Sequence, residues 1–149
     1  ICRCGKTGCL ETGASGSAIH RIILERLDEG RASCLSTKYK RKQEISLDDI
    51  LDAIKEEDVL TLEVVEQVGD ELGKAIAGLI NIFNPELVIL GGRLAEAKEY
   101  ILLPVRTAIN KHSLHIVSRD TKVELSVLGG KSGPIGACML ARNKFLRFV

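Results

Sequence analysis

A chain of 149 residues has the length of one domain and can bury a real core, on the order of 68–70% of the surface its unfolded form exposes. Its 21 Lys plus Arg nearly balance 20 Asp plus Glu, which excludes a global field drawing it to nucleic acid or an acidic membrane. Five cysteines without a signal-like start, and 45% apolar residues broken up by charges so that no run approaches ~18, point to a cytoplasmic protein with reduced thiols and no membrane partner.

The chain opens on ICRCGKTGCLE. Cys2, Cys4 and Cys9 make the pattern C-x-C-x4-C, and a tight turn built on Gly5 and Gly8 lets three thiolates converge on one soft cation, for which zinc is the natural choice. A closed structural site takes four ligands, and only three are local. The spacing therefore fits a metal knuckle completed by His20, Cys34 or a residue upstream of Ile1, or else three free thiols in a mobile loop. An upstream ligand suits better than His20, because a lone histidine on a helix face is more often solvated or packed. From Glu11 to Gly30, Ile19, Ile22, Ile23, Leu24 and Leu27 recur at helical spacing and Gly30 is a stop signal, which predicts a helix carrying Glu11 at its N-terminal end. Taken alone, Glu11 is a first-turn carboxylate that favours the helix dipole.

The segment Arg31 to Glu44 is polar, basic and without periodicity, and reads as a loop. Its KYKRK run, Lys38 to Lys42, reads as solvated surface, with phosphate contact and base stacking by Tyr39 as the less common alternative. Ser46 caps a short helix, SLDDILDAIKEE, with Asp49 at the capping-box position. The longest predicted helix runs from Thr61 to Phe83, where Val65, Val68, Leu72, Ile76, Leu79 and Phe83 form one buried stripe. Asn84 and Pro85 end it, and ELVILGG follows with the pattern of a strand buried on both faces, closed by Gly91 and Gly92.

A helix from Ala97 to Ser113 comes next, bent or broken at Pro104. KVELSVLGG alternates Val123, Leu125 and Val127 with Glu124 and Ser126 as a second strand, ending in a turn at Gly129 and Gly130. The last predicted helix spans Gly133 to Phe148, with Gly136 and Ala137 small enough to admit another backbone. This order specifies an α/β layer with parallel strands. Two strands make a meagre sheet, so further strands are expected upstream of Ile1, in a longer polypeptide of which this chain is a piece. No Ser/His/Asp or Cys/His pair is spaced for nucleophilic catalysis, and glycines after a strand are by default strand-to-helix turns.

The block CRCGKTGCLETGASGSAI resembles the cysteine signature C-x-C-G-x-x-G-C-[LF]-E of the ROK family, the repressors, open reading frames and sugar kinases. Two further stretches match in the same order: INIFNPELVILGG is similar to the family's helix, Asn-Pro turn and glycine-ended strand, and GPIGACMLA to its final G-x-x-G-A helix. The resemblance runs from Ile1 to about Asn143. It implies the C-terminal part of an actin-like, ribonuclease H-like sugar-kinase ATPase domain, with helices packed on a mostly parallel sheet and a cysteine zinc knuckle at the N-terminus. Residues 1–149 would be the C-terminal lobe, with the N-terminal lobe and any DNA-binding domain outside this chain.

The resemblance also implies a structural zinc on Cys2, Cys4 and Cys9, a histidine upstream of Ile1 as fourth ligand, and Glu11 on the hydroxyls of a bound sugar. In the family's kinases the glycines matching Gly91 and Gly92 let the backbone pass close to a nucleotide, and the position of Arg93 is usually a third glycine. A large side chain there crowds that approach. Three functions follow: the effector-sugar lobe of a transcriptional repressor, the C-terminal lobe of a sugar kinase using ATP and magnesium, or a zinc-stabilised interaction module without a ligand. Arg93 and the charged insertion from Ser33 to Asp58 favour the first. Under the kinase reading the catalytic aspartate lies in the other lobe, so no catalytic residue is expected here. A homodimer or homotetramer is expected, with DNA reached only through a separate N-terminal domain.

Overall fold

The computed structural model describes residues 1–146. Its first helix, α1 (Gly16–Asp28), begins later than the apolar spacing predicts, because Ser15 is its N-cap and accepts from the backbone N–H of Ala18 at 3.1 Å. Glu11 lies ahead of it on a separate 3₁₀ turn, Leu10–Thr12. The Ser15 hydroxyl also donates to the Glu11 carbonyl at 2.6 Å, tying the turn to the helix it precedes. Ala18, Ile19, Ile22, Ile23 and Leu27 form the buried face of α1, as the spacing requires.

The segment read as a loop contains one short helix, α2 (Ser36–Lys40), set on the core by buried Leu35. It is followed by α3 (Leu47–Lys55), where Ser46 and Asp49 make a reciprocal capping box. Lys38 reaches the same Asp49 carboxylate at 2.6 Å. That ammonium, then the hydroxyl and the N–H of Ser46, hold Asp49 well below the usual carboxylate range, at about 2. A second cap stands at the next helix: Asp58 accepts from Thr61 N at 3.0 Å, Thr61 Oγ1 at 2.8 Å, Ser33 Oγ at 2.9 Å and Cys34 N at 2.8 Å. Burial alone would raise its pKa, and these four donors outweigh it and lower it.

The long helix α4 (Val59–Phe83) packs along α5 (Glu99–His112), and the two run parallel: Gly69 lies beside Pro104, Gly73 beside Ala108, and Asn81 beside His112. A Cβ on Gly73 would sit 2.6 Å from both the Ala108 Cβ and the Val105 carbonyl, so the close approach of the helices requires glycine. The buried stripe of α4 is therefore Val64, Val65, Val68, Gly69, Gly73, Ile76, Ala77 and Ile80. Leu72 is only half-buried, and Leu79 and Phe83, read as core from their spacing, are 53% and 71% exposed. Pro104 stays inside α5 without ending it, placed against the Gly69 notch.

The sheet has two parallel strands, β1 (Leu87–Leu90) and β2 (Lys122–Leu125), with Val88 opposite Val123. Arg106 of α5 donates to the Val123 carbonyl at 2.7 Å, and a short helix α6 (His115–Ser118) joins α5 to β2. The expectation of a strand buried on both faces is corrected: Val88 and Leu90 turn inward while Leu87 and Ile89 are exposed. Helices cover one face, and the described residues offer nothing for the other. The second strand also ends at Leu125, leaving Val127 98% exposed. The final helix, α7 (Ser132–Leu146), follows a 3₁₀ turn at Gly129–Lys131. No atom lies within 4 Å of a Cβ built on Gly133 or Gly136, so the packing predicted for these small residues is not met among the described residues. The part of the predicted helix at Arg147 and Phe148 lies outside the described residues. No helix among the described residues is long and apolar enough to cross a membrane.

Gly73→Ala is expected to destabilise by about 1–3 kcal/mol, because the methyl meets backbone of α5 that cannot swing aside. Gly78→Ala, on the same helix with nothing within 4 Å, is expected to stabilise by up to ~1 kcal/mol through helix propensity. Urea unfolding of both variants checks the contrast. Asp49→Asn is expected to cost ~1 kcal/mol at neutral pH, the usual worth of a cap. Because the folded-state pKa of Asp49 is depressed, its contribution is present above an unfolded value near ~4 and disappears as pH falls toward about 2. The stability difference between the natural protein and Asp49→Asn should therefore close over that window when followed by circular dichroism.

Candidate functional site

The sulfur atoms of Cys2, Cys4 and Cys9 all lie within 4.8 Å of one another, and those of Cys4 and Cys9 are 3.5 Å apart. Backbone bonds build this knot. Cys2 N donates to the Lys6 carbonyl and Gly5 N to the Cys2 carbonyl, each at 2.9 Å, with Gly5 and Gly8 at φ +83° and +75° where a side chain would be strained. The Cys9 carbonyl is held by Thr12 through its N–H at 3.0 Å and its hydroxyl at 2.6 Å. The Lys6 N–H, followed by the thiols of Cys2 and Cys9, lowers the pKa of Cys4. Its shared bond with Cys4 raises that of Cys9.

Four sulfurs around zinc at about 2.3 Å stand ~3.8 Å from each other, so these three thiols fit three corners of a tetrahedral site. No other His, Cys, Asp or Glu among the described residues joins the cluster. His20, considered from sequence as a completing ligand, instead bonds the Ile45 carbonyl through Nε2 at 2.9 Å and braces the α2–α3 connection. Cys34 sits by Asp58 on the α4 cap, and its thiol pKa is raised first by burial and then by that carboxylate.

Glu11 follows the knot by two residues and is exposed. Its Oε1 accepts from the Ser17 hydroxyl at 3.4 Å, and Ser17 and Ser15 share a bond of 2.8 Å. Glu11, Cys2, Thr12, Ser17 and Arg21 line one cavity of about 440 Å³. Arg21 is fixed at its edge by Glu25 at 2.7 Å and the Thr12 carbonyl at 3.1 Å. The arrangement is a carboxylate acceptor with a hydroxyl beside it, on a turn anchored at one end by the cysteines and at the other by the α1 cap. Sequence reasoning singled out Glu11 but not Ser17 or Arg21. The A-S-G-S run is their only local signal, and it reads first as a helix cap.

Gly91 and Gly92 lie at the carboxyl end of β1, the position where open α/β sheets bind ligands, and they line a second cavity of about 380 Å³ with Ser15, Gly16 and Leu47. Arg93 stands at its rim. Its guanidinium donates to Asp48 in the first turn of α3 and lies 3.8 Å from Glu96. Asp48 is not distinguishable in sequence from its helix-capping neighbours. In the KYKRK run, Tyr39 is half-buried with its hydroxyl on Asp28 at 2.9 Å, and Lys38 is paired with Asp49.

The model of the ROK family matches residues 1–144. A glucokinase of Halalkalibacterium halodurans is 34% identical over 143 residues, which cover 96% of this chain and 43% of the relative. The DNA-binding transcriptional dual regulator NagC of Escherichia coli is also 34% identical, over 148 residues that cover 99% of this chain and 35% of the relative. Among solved structures, a ROK family transcriptional regulator homologous to the E. coli MLC protein superposes with a TM-score of 0.75 and 40% identity, over 83% of this chain and 30% of that one. A ROK family glucokinase from Streptomyces griseus, solved with glucose and AMPPNP, gives a TM-score of 0.76 at 28% identity, over 94% of this chain and 46% of that one. The chain thus spans less than half the length of each, and repressors and kinases stand side by side among its relatives. Matched across almost its whole length, this chain belongs to the ROK family.

Proposed function

We propose that this chain is the C-terminal, sugar-binding lobe of a cytoplasmic transcriptional repressor of the ROK family, which reaches DNA through a separate N-terminal domain. The observation that carries the proposal is that Cys2 of the thiol knot and Glu11 line the same cavity. Zinc on Cys2, Cys4 and Cys9, with a histidine upstream of Ile1 as fourth ligand, would supply rigidity to this corner. The chain's own residues do the recognition. Glu11 accepts hydrogen bonds from vicinal sugar hydroxyls, each worth about 1.5–3 kcal/mol for a charged acceptor, and Ser17 keeps the carboxylate oriented. A turn already fixed at both ends loses little conformational freedom on binding.

Repression then follows from linkage. A sugar relieves repression only to the extent that it binds the DNA-free form more tightly than the DNA-bound form. Closing the cleft between this lobe and its N-terminal counterpart around the sugar provides that difference. Arg93 supports a regulator over an enzyme, since a large side chain paired with Asp48 lines the cavity at Gly91 and Gly92 where a third glycine would leave the approach open. The second reading, an ATP- and magnesium-dependent sugar kinase, is favoured by the placement of that cavity at the carboxyl end of a parallel strand, where phosphates are held in many α/β proteins.

Glu11→Gln in the natural protein is expected to weaken sugar binding about 10- to 100-fold by calorimetry while leaving operator binding without sugar unchanged. Unchanged sugar affinity would remove Glu11 from the site. Incubated with ATP, magnesium and common hexoses, this chain by itself is expected to give no sugar phosphate, and measured turnover would overturn the placement of the catalytic base elsewhere. Zinc measured by mass spectrometry should be near one per chain in the natural protein. Cys4→Ser should lower it and weaken sugar binding with it.

A further inference from the structure

Within the thiol knot, the sulfurs of Cys4 and Cys9 share a hydrogen bond at 3.5 Å. A disulfide closes at about 2.0 Å, so a displacement on the order of 1.5 Å joins them. The loop between the two supplies that freedom. Gly5 and Gly8 hold it at positive φ, and among the described residues no atom lies within 4 Å of a Cβ built on either, so no neighbouring element braces it from outside. The two thiols also differ in access: Cys4 is exposed and Cys9 half-buried. A thiol open to solvent with a second one in reach is the arrangement of reversible oxidation, in which one sulfur takes the oxidant and the other resolves it. Cys2 is the poorer partner, since it is half-buried and its own residue is fixed by two backbone bonds, to the Lys6 carbonyl and from the Gly5 N–H.

Cys9 is also the root of the turn that carries Glu11. It stands directly ahead of Leu10–Thr12, and its carbonyl accepts from both the N–H and the hydroxyl of Thr12. A bond that draws Cys9 toward Cys4 therefore pulls on this turn at its base, and it takes two of the three clustered sulfurs away from a metal.

We propose that Cys4 and Cys9 form a peroxide-responsive dithiol, whose closure releases zinc and slackens the turn that presents Glu11. The Cys4 thiolate attacks one peroxide oxygen, the O–O bond breaks, and the departing hydroxide recovers the proton that Cys4 gave up and leaves as water. The Cys9 thiol then attacks the sulfur of the Cys4 sulfenic acid, the S–O bond breaks, and the hydroxyl leaves with the Cys9 proton as a second water. Two thiols lose two electrons and the peroxide gains them. A small dithiol reverses the bond by exchange.

Hydrogen peroxide added to the zinc-loaded natural protein tests this, alongside a Cys34→Ser, Cys138→Ser variant in which the knot holds the only thiols of this chain. Peptide mapping after alkylation is expected to join Cys4 to Cys9 in both, and a zinc-sensitive dye to register release of about one zinc per chain. Calorimetry should show sugar affinity lower by on the order of 10-fold, restored by dithiothreitol with zinc. Knot thiols that remain open to alkylation, a bond that joins Cys2 to either of the others, or a Cys4–Cys9 bond formed with zinc retained would each overturn the proposal. The affinity arm alone rests on Glu11 as the acceptor of the sugar. Affinity unchanged by oxidation, where Glu11→Gln lowers it, overturns the link to the turn. Glu11→Gln without effect removes the sugar site instead, and the dithiol then stands or falls on the mapping and the dye.

Discussion

The close parallel packing of α4 on α5 is the constraint on which the remaining structure rests. Gly69 and Gly73 let the helix backbones approach until Pro104, Val105 and Ala108 fill the space that side chains would occupy. That contact fixes where β1, the continuation of α4 through the Asn84 turn, lies relative to β2, which follows α5. The parallel register of the two strands is thus a consequence of helix packing, reinforced by Arg106 reaching from α5 to the Val123 carbonyl. It also places the glycine pair at the end of β1 beside the first residues of α1.

Around this frame, polar groups are used mainly to join elements distant in sequence. Asp58 caps α4 while holding Ser33 and Cys34, and Asp49 caps α3 while holding Lys38, so the charged segment is tied at two points to helix caps. The same economy appears at the candidate site. Ser15 caps α1 and binds the Glu11 carbonyl, and its neighbour Ser17 touches the Glu11 carboxylate. A cap, ordinarily worth about 1 kcal/mol, here doubles as the support of an acceptor that points into solvent.

The two cavities lie on either side of the start of α1, Ala14 to Gly16 lining one and Ser17, Ala18 and Arg21 the other, and each has its own chemistry. One holds a carboxylate and hydroxyls beside a thiol knot. The other is walled by leucines and isoleucines and guarded by an arginine between two carboxylates. A relative solved with glucose and AMPPNP shows that the family includes proteins occupied by both a sugar and a nucleotide analogue. In this chain Arg93, paired with Asp48 and 3.8 Å from Glu96, stands beside the glycine pair.

The amino-acid sequence by itself determined the order of the long helices and the two strands, the parallel strand class, the capping box at Ser46 and the convergence of three cysteines, since each is written in local spacing or local hydrogen bonding. It also carried the family, through three motifs in the right order. The start of α1 was not legible, because the apolar period continues smoothly through a stretch where a serine cap decides the boundary. The exposure of Leu79 and Phe83, the open face of β1 and the glycine contacts of α4 were decided only by tertiary structure. A helical period marks which residues share a face, whereas burial depends on where the neighbouring helix lies, and here α5 is drawn to the glycines rather than to the larger apolar side chains.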